Sequence, residues 1–442
     1  MKIQLSDHFT YTRLLRFTLP SITMMLFTSV YSVVDGFFIS NFVGITPFAA
    51  INLIMPLAQL LSCVGFMFGS GGSALVSATL GARQHRKAQE IFSLLTYLSL
   101  AVGTVLMLLG LVLMKPIALW MGADEALLPY CVTYGRILML ALPLFIVQNV
   151  FQSFLVTAEK PGLGLAITVA AGVANIVLDA LFIVVFQWGI TGAAAATAIA
   201  QCLGGIVPLI YFAGQNSSLL RLGKAPFDGS ALKESCTNGL SELVTNISMS
   251  VVSILYNFQL MKLAGQRGVA AYGAVMYVSF AFVAVFLGYS IGVIPVVGFH
   301  YGAQNHDELK SLLRKSNTLV LCASGVLCLA ALALAQPLAA MFVGSDPQTL
   351  DMTIRAFRFY ALSVLFSGFS IFGSAFFTAL NNGIVSAVIS FLRTFAFQAA
   401  AVLVLPLLFG LDGIWYALFV AEILAMAVTG YFYRAKQPVY RY

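Results

Sequence analysis

Charged residues are scarce in this sequence. Lys, Arg, Asp and Glu make up 9% of its 442 residues, whereas hydrophobic residues make up 60%. A water-soluble domain usually carries roughly 25% charged residues, which help to cover its surface. The scarcity therefore excludes a soluble globular protein and indicates that lipid is the solvent for most of the chain.

Residues arranged as metal or catalytic sites are also missing. The six cysteines occur singly, with no CxxC pair, and the four histidines show no metal-ligand spacing. The chain contains neither the phosphate-binding GxxxxGK[ST] pattern nor the zinc-binding HExxH pattern. Its basic residues form no stripe with interleaved aromatic residues, so nucleic acid is not an expected partner. We therefore expect no enzymatic activity, no resident metal and no cofactor.

Long apolar runs are abundant, and each is long enough to cross roughly 30 Å of hydrocarbon. Because lipid offers no hydrogen bonds to the backbone, these runs must be helical. The sequence thus predicts an all-α membrane protein embedded in a lipid bilayer. We place its twelve transmembrane helices at residues 15–40, 47–78, 89–114, 130–157, 163–186, 191–213, 238–262, 269–299, 310–335, 352–379, 384–408 and 412–433.

The two halves of the chain match each other at a shift of 221 residues. Gly71 falls on Gly292 and Pro116 on Pro337, and many other glycines coincide in the same way. Such a constant shift indicates an internal repeat. Because each half has an even number of helices, both halves enter the membrane from the same side. We therefore predict two pseudo-symmetric six-helix bundles in a 6+6 parallel repeat: a first lobe (1–214), a cytoplasmic linker (215–237) and a second lobe (238–442).

The distribution of basic residues predicts the orientation. The N-terminus, the loops that follow even-numbered helices and the C-terminus hold 16 of the 23 Lys and Arg residues. Basic loops remain in the cytoplasm. We therefore expect a multi-pass protein of the inner membrane with both termini cytoplasmic, and a monomer.

Two carboxylates in the first lobe lie inside predicted helices at similar depth. Asp35 in helix 1 and Asp179 in helix 5 are each about 10 Å below the outer surface, at 1.5 Å per residue. Asn175 precedes Asp179 by four residues and shares its helix face. Neighbouring buried carboxylates can hold and release a proton, or bind Na⁺ when both are ionised. The alternative is a hydrogen-bonded acid with a structural role.

The second lobe carries a different set of buried charges. Arg393 and Glu422 lie near mid-membrane on consecutive helices, and we predict an ion pair because an isolated charge there is very costly. This pair is either structural or part of a coupling or substrate site. Glu242 lies near the start of helix 7 and either belongs to a site or faces the interface. Pro20 in helix 1 either bends the helix or is an ordinary first-turn proline.

Five short segments of the sequence carry a recognisable pattern: SVYSVVDGFFISNFVG followed by AAINLIMPL, then NIVLDALFIV, and the loops GARQHRKA and YGAQNHDEL. Together they resemble the multidrug and toxic compound extrusion (MATE) family, in particular its DinF/MepA-like branch. The first two are similar to the first helix pair of that family, NIVLDALFIV is similar to its fifth helix, and the two loops resemble the loop that follows the second helix of each lobe. The resemblance covers essentially the whole chain, in a 6+6 plan of twelve helices.

This resemblance implies a cation-coupled antiporter without a cofactor, driven by H⁺ or Na⁺. Asp35, Asn175 and Asp179 match the family's coupling cluster, and Na⁺ would bind at the two carboxylates. Three further residues match polar positions that line the same pocket: Tyr134, Gln152 and Thr197. Pro20 matches a helix 1 proline proposed to bend with protonation. Glu242 could stand for an acid of the second lobe, but helix 10 has no carboxylate past Asp351.

The favoured function is export of small organic amphiphiles, often cationic, such as drugs and toxins, by alternating access. The alternative within the same superfamily is a lipid-linked or oligosaccharide flippase, which typically has fourteen helices and a strongly cationic cavity. A membrane-embedded enzyme or receptor would need a catalytic constellation that the sequence does not show.

Overall fold

Helices account for nearly all of the chain. The computed structural model describes residues 3–344 and 346–442, except for the side chains of Ser32, Val33, Phe37, Ser40, Asn41 and Ile45. All regular structure in this part is helical, which confirms the predicted fold class. The helices are α1 (Tyr11–Phe42), α2 (Ile45–Gly81), α3 (His85–Trp120), α4 (Leu128–Thr157), α5 (Pro161–Val185), α6 (Gly189–Ala213), α7 and α8 (together Gly229–Gly302), α9 (His306–Val343), α10 (Pro347–Ala379), α11 (Gly383–Phe409) and α12 (Leu411–Tyr440).

The boundary between α7 and α8 is a single glycine. Gly265 has φ 62° and ψ −151° inside an otherwise helical stretch. Glycine adopts this conformation without a steric penalty, so the chain can turn there within one residue. The 11 apolar helical stretches in the described residues thus provide twelve membrane spans, as the sequence predicted.

Most helices extend beyond their predicted ends. Helix α7 begins at Gly229 rather than at 238, because the Asp228 side chain accepts hydrogen bonds from the backbone N–H groups of Ser230 and Ala231. The non-helical linker is therefore shorter than predicted and spans residues 214–228. Polar turns at helix ends escape a prediction based on apolar runs.

The internal repeat is visible in the backbone. Gly189 and Gly410, which are 221 residues apart, have φ angles of 56° and 59° between the last two helices of each half. Arg83 and Gln304, also 221 residues apart, have φ angles of 61° and 55° after α2 and α8. The two halves therefore use the same turns at equivalent positions.

Small residues bring the halves into contact along α2, α7 and α8. Gly71 of α2 lies against the backbone of Ser235 and Gly239 in α7. Further along α2, Ala78 lies against Gly302 at the end of α8. Any side chain at these glycines would collide with the opposite backbone, so small residues are required for this close packing.

Both chain termini lie at this same end of the molecule. The Leu5 N–H donates to Glu159 in the loop after α4 (2.8 Å), and His306 contacts the carbonyl of Tyr440 (3.1 Å). Asn382 donates to the Tyr440 hydroxyl (2.8 Å). We term this end the terminal face; it is the face that the basic residues predict to be cytoplasmic.

A non-helical stretch before α1, residues 3–10, connects the halves at the terminal face; we term it the N-terminal segment. Glu308 of α9 accepts a hydrogen bond from the Phe9 N–H (2.9 Å) and contacts the His8 ring nitrogen (2.6 Å). Lys315 donates to the Phe9 carbonyl (2.5 Å). The segment thus belongs to the first half but is anchored on the second.

Away from the terminal face, the first half has a hydrophobic core of its own. That core is built from described residues between Phe38 and Ala194 and includes none from the second half. Large apolar side chains such as Trp120 and Leu407 are exposed at the surface, as expected where lipid surrounds the helices. The halves are therefore joined at one end and separately packed towards the other.

Candidate functional site

Glycine allows α1 and α5 to approach each other closely. A Cβ at Gly172 of α5 would collide with the ring of Phe27 and lie 3.2 Å from the ring of Tyr31 in α1. Asp35 follows Tyr31 by one helical turn, and Asn175 and Asp179 follow Gly172 by one and two turns. The contact at Gly172 therefore brings the three predicted polar residues to one level.

The structure brings Asp35, Asn175 and Asp179 together as predicted. The Asp35 carboxyl lies within interaction distance of both the Asp179 carboxyl and the Asn175 amide. The exposed fractions are 6% for Asp35, 2% for Asn175 and 0% for Asp179. Two acidic groups thus share one enclosed pocket inside the first half.

The protein leaves most oxygens of this carboxylate pair without a hydrogen-bond partner. Neither oxygen of Asp179 nor Oδ1 of Asp35 has a hydrogen-bond partner, and the same holds for the amide nitrogen of Asn175. A buried ionised carboxylate without a partner is very costly. A proton shared by the two groups, or a small cation between them, would remove this cost. The described residues contain no group of three or more His, Cys, Asp or Glu side chains placed to hold a metal ion.

Two tyrosines form part of the pocket. Tyr134 of α4 is fully buried, lies within electrostatic range of both carboxylates and has an unpaired hydroxyl. Tyr31 also lies within electrostatic range of Asp35. Tyr134 was predicted from the family resemblance. Tyr31 was missed, although its i−4 spacing from Asp35 places it on the same helix face.

Thr197 lies at the depth of the pocket on the neighbouring helix α6. Gly192 of α6 contacts Phe182 of α5, which sets the level of the two helices. Thr197 is about 7.5 Å further along α6, and Asp179 is about 4.5 Å back along α5, at 1.5 Å per residue. The Thr197 hydroxyl is buried and makes no hydrogen bond. Its depth agrees with the predicted lining position.

Gln152 does not join this pocket. It lies 18 residues after Tyr134 on the same helix, a separation of about 27 Å. It lines a different, small cleft together with Gln148, Gly204 and Pro208. The expectation that Gln152 lines the acidic pocket is therefore wrong, because residue type alone does not fix a position along a helix.

Pro20 is not a first-turn proline. Helix α1 begins at Tyr11, so Pro20 lies in its third turn. There it lacks the N–H that would bond to the carbonyl of residue 16, which weakens the helix at that point. Of the two interpretations of Pro20, the first-turn one is wrong, and the role of a hinge stays a prediction.

A π-helical turn directly follows Asp179. Residues Ala180–Val185 form this wider turn within α5. Single π turns inside α-helices occur frequently at functional sites. The turn changes the direction in which later residues of α5 face, and no simple sequence signal predicts it.

The second half contains the predicted ion pair. Arg393 donates through Nε to Oε2 of Glu422 (3.0 Å), and its Nη2 lies 2.9 Å from Oε1. Arg393 is also part of a π turn, Leu392–Ala396 in α11. Both halves thus place a π turn next to a buried charged group.

Glu242 lies apart from the ion pair. It follows the start of α7 by more than three turns and is within electrostatic range of Cys63 in α2. Among the described residues, Glu242 belongs to no group of three or more His, Cys, Asp or Glu side chains placed to hold a metal ion. A cation site of the second lobe at Glu242 therefore stays an untested prediction.

One short match to a hydrolase pattern has a structural explanation. Residues 288–292, GYSIG, fit the GxSxG pattern of serine hydrolases. That pattern requires a sharp turn between a strand and a helix. Here it lies inside α8, where Gly288 and Gly292 contact Ile22 and Thr18 of α1. The glycines serve helix packing.

Known proteins share the sequence pattern and the fold. A family model described as MatE matches residues 20–181 and again residues 243–403. The multidrug export protein MepA of Staphylococcus haemolyticus (strain JCSC1435) is 25% identical over 417 residues, covering 93% of this chain and 90% of that protein. MepA of Staphylococcus aureus (strain NCTC 8325 / PS 47) is 24% identical over 421 residues, covering 93% and 91%. A structure described as the outward-facing conformation of a multidrug resistance MATE family transporter of the MOP superfamily superposes with a TM-score of 0.92 at 20% identity, covering 98% of this chain and 97% of that chain.

Proposed function

The chain belongs to the MatE family of membrane transporters, and from this premise we propose that it is a secondary active antiporter. It exports amphiphilic, often cationic organic compounds in exchange for H⁺ or Na⁺. The MepA relatives, which are multidrug export proteins by name, support the substrate class. The protein resides in the inner membrane as a monomer, with the terminal face in the cytoplasm.

The pairing of Asp35 with Asp179 is the observation that carries this proposal. Two buried, neighbouring carboxylates cannot both remain ionised at low cost, because their charges repel each other and three of their four oxygens have no hydrogen-bond partner. Binding of H⁺ or Na⁺ from the outside satisfies them, and release into the cytoplasm restores the costly state. Each transport cycle thus takes up one cation and releases it at the opposite face.

The arrangement of the halves supports alternating access. The halves are in contact at the terminal face through glycines, and the first half has a separate core towards the other face. With the terminal face in the cytoplasm, the space between the halves opens to the outside. Smooth glycine surfaces without interlocking side chains can separate when the cleft opens to the cytoplasm.

Transport measurements test the role of the carboxylates. We expect Asp35→Asn and Asp179→Asn, each in proteoliposomes, to reduce gradient-driven transport of a cationic dye to background. Asp351→Asn serves as the matched control, because Asp351 is exposed at the start of α10. Imposing a pH gradient or a Na⁺ gradient separately identifies the coupling ion. Full transport by both pocket variants would contradict the proposal.

A further inference from the structure

The Arg393 guanidinium uses one edge for Glu422 and leaves the other edge free. Its Nε and Nη2 face the two carboxylate oxygens side by side. A guanidinium has five N–H groups, so three remain. Within the described part of the chain these three donate no further hydrogen bond.

The accessible member of the ion pair is the cation. The side chain of Arg393 is 14% exposed, whereas that of Glu422 is 2% exposed. Glu422 fixes the orientation of Arg393 from behind and compensates its charge.

A second unpaired donor lies beside this pair. Tyr256 of α7 is 4% exposed, its hydroxyl has no hydrogen-bond partner, and it lies within electrostatic range of Glu422. Its ring stacks on that of Tyr272, with ring centroids 4.9 Å apart. At the 221-residue shift, Tyr256 occupies the position of Asp35. Equivalent positions of the fold thus carry a carboxylate in the first half and a hydrogen-bond donor in the second.

We propose that the free edge of Arg393 is a binding subsite for the carboxylate of zwitterionic amphiphiles, with Glu422 as its positioning residue. This inference rests on the proposed export of amphiphiles and assigns a recognition residue for those that carry a carboxylate. A guanidinium edge binds a carboxylate through two parallel hydrogen bonds. Because Arg393 and Glu422 together are neutral, a simple anion would leave a net charge in the membrane, whereas a zwitterion would not.

Two related dyes test the subsite by equilibrium binding. Rhodamine 110 is zwitterionic and carries a free carboxylate, and rhodamine 123 is its cationic methyl ester. We measure both dissociation constants by fluorescence anisotropy on the purified full chain in detergent. In the double variant Arg393→Gln/Glu422→Gln, which leaves no buried charge unpaired, we expect rhodamine 110 to bind about tenfold more weakly. The affinity for rhodamine 123 should change less than about threefold, since tenfold corresponds to about 1.4 kcal/mol.

A second ion pair provides the matched control. Arg355 of α10 is exposed and lies 2.7 Å from the partly exposed Asp412 of α12, so Arg355→Gln/Asp412→Asn removes another ion pair elsewhere. It should leave the affinity ratio of the two dyes unchanged. Equal changes for both dyes in the Arg393/Glu422 variant, or no change, would overturn the proposal.

A conservative variant covers the case in which the double variant does not fold. Arg393→Lys keeps the charge but lacks the planar fork, and it should weaken rhodamine 110 binding several-fold while leaving rhodamine 123 binding intact. Wild-type binding of both dyes to this variant would refute the subsite. Because no ion gradient is applied, a failure of the Asp35–Asp179 coupling model would leave the dye ratio unaffected, and the two proposals are tested separately.

Discussion

At the scale of single residues, Tyr134 is the neutral group best placed to act on the carboxylate pair. Its buried hydroxyl is unpaired and lies within electrostatic range of Asp35 and Asp179. Once the coupling cation leaves, this hydroxyl can donate to an ionised carboxylate, and such a bond contributes about 1.5–3 kcal/mol. We therefore expect Tyr134→Phe to slow ion-driven dye transport in proteoliposomes by about tenfold or more without abolishing it.

Tyr130→Phe is the natural control, because Tyr130 lies one turn earlier on α4 and is 37% exposed. It should transport at the wild-type rate. If the two variants behave alike, the Tyr134 hydroxyl has no part in cation release.

The composition of the pocket was only partly predictable from sequence. Asp35 and Asp179 stand out because a carboxylate within an apolar run is energetically costly, and helical rise alone places them at equal depth. Gln152 was assigned to the wrong pocket because only its amide group and its helix were considered. Its position along that helix, about 27 Å from Tyr134, was not. The pairing of Arg393 with Glu422 was predictable because an unpaired charge inside the membrane is energetically costly. Which edge of the Arg393 guanidinium stays free is visible only in the structure.

At the scale of elements, Glu308 makes the most contacts among the side chains that hold the N-terminal segment on the second half; Lys315 adds one to the Phe9 carbonyl. Glu308 is 5% exposed and binds both the Phe9 N–H and the His8 ring. Loss of a hydrogen bond to a charged group costs about 1.5–3 kcal/mol. We expect Glu308→Ala to accelerate hydrogen–deuterium exchange at the Phe9 amide by at least about tenfold, measured by mass spectrometry of peptides covering residues 3–10.

Asp307→Ala provides the comparison, since Asp307 is adjacent but exposed. Its exchange pattern should match that of the unmodified protein. Unaltered exchange in Glu308→Ala would show that the segment is held by its apolar contacts, such as that between the rings of Phe9 and Phe17, 5.9 Å apart.

Helix number was predictable, whereas helix ends and irregular turns were not. Apolar length fixes the count because each span must cross the same hydrocarbon thickness. The early start of α7 depends on the cap at Asp228, and the continuity of α7 into α8 depends on the backbone of Gly265. One π turn directly follows Asp179 and the other contains Arg393. The spacing of apolar residues in the sequence does not indicate these π turns, although they affect where the charged groups lie.

At the scale of the whole molecule, the repeat preserved the packing and altered the chemistry. Equivalent glycines such as Gly189 and Gly410 keep the same turns in both halves. At the same shift, however, Asp35 corresponds to Tyr256, and Arg393 corresponds to Gly172. A duplicated scaffold can therefore assign cation coupling to one half and substrate recognition to the other, provided that the halves move relative to each other.

That relative motion can be blocked by a covalent link across the terminal face. Ser77 of α2 and Gly298 of α8 lie opposite each other, and a Cβ at position 298 would be 3.4 Å from the Cβ of Ser77. This distance is close to the 3.5–4.5 Å typical of disulfides. In the double variant Ser77→Cys/Gly298→Cys, we expect copper phenanthroline to reduce dye transport at least about tenfold and dithiothreitol to restore it. Each single variant carries the six native cysteines plus one, and should be insensitive to the oxidant. Undiminished transport by the cross-linked protein would mean that the halves need not separate at this face, and alternating access by opening of the glycine contacts would have to be abandoned.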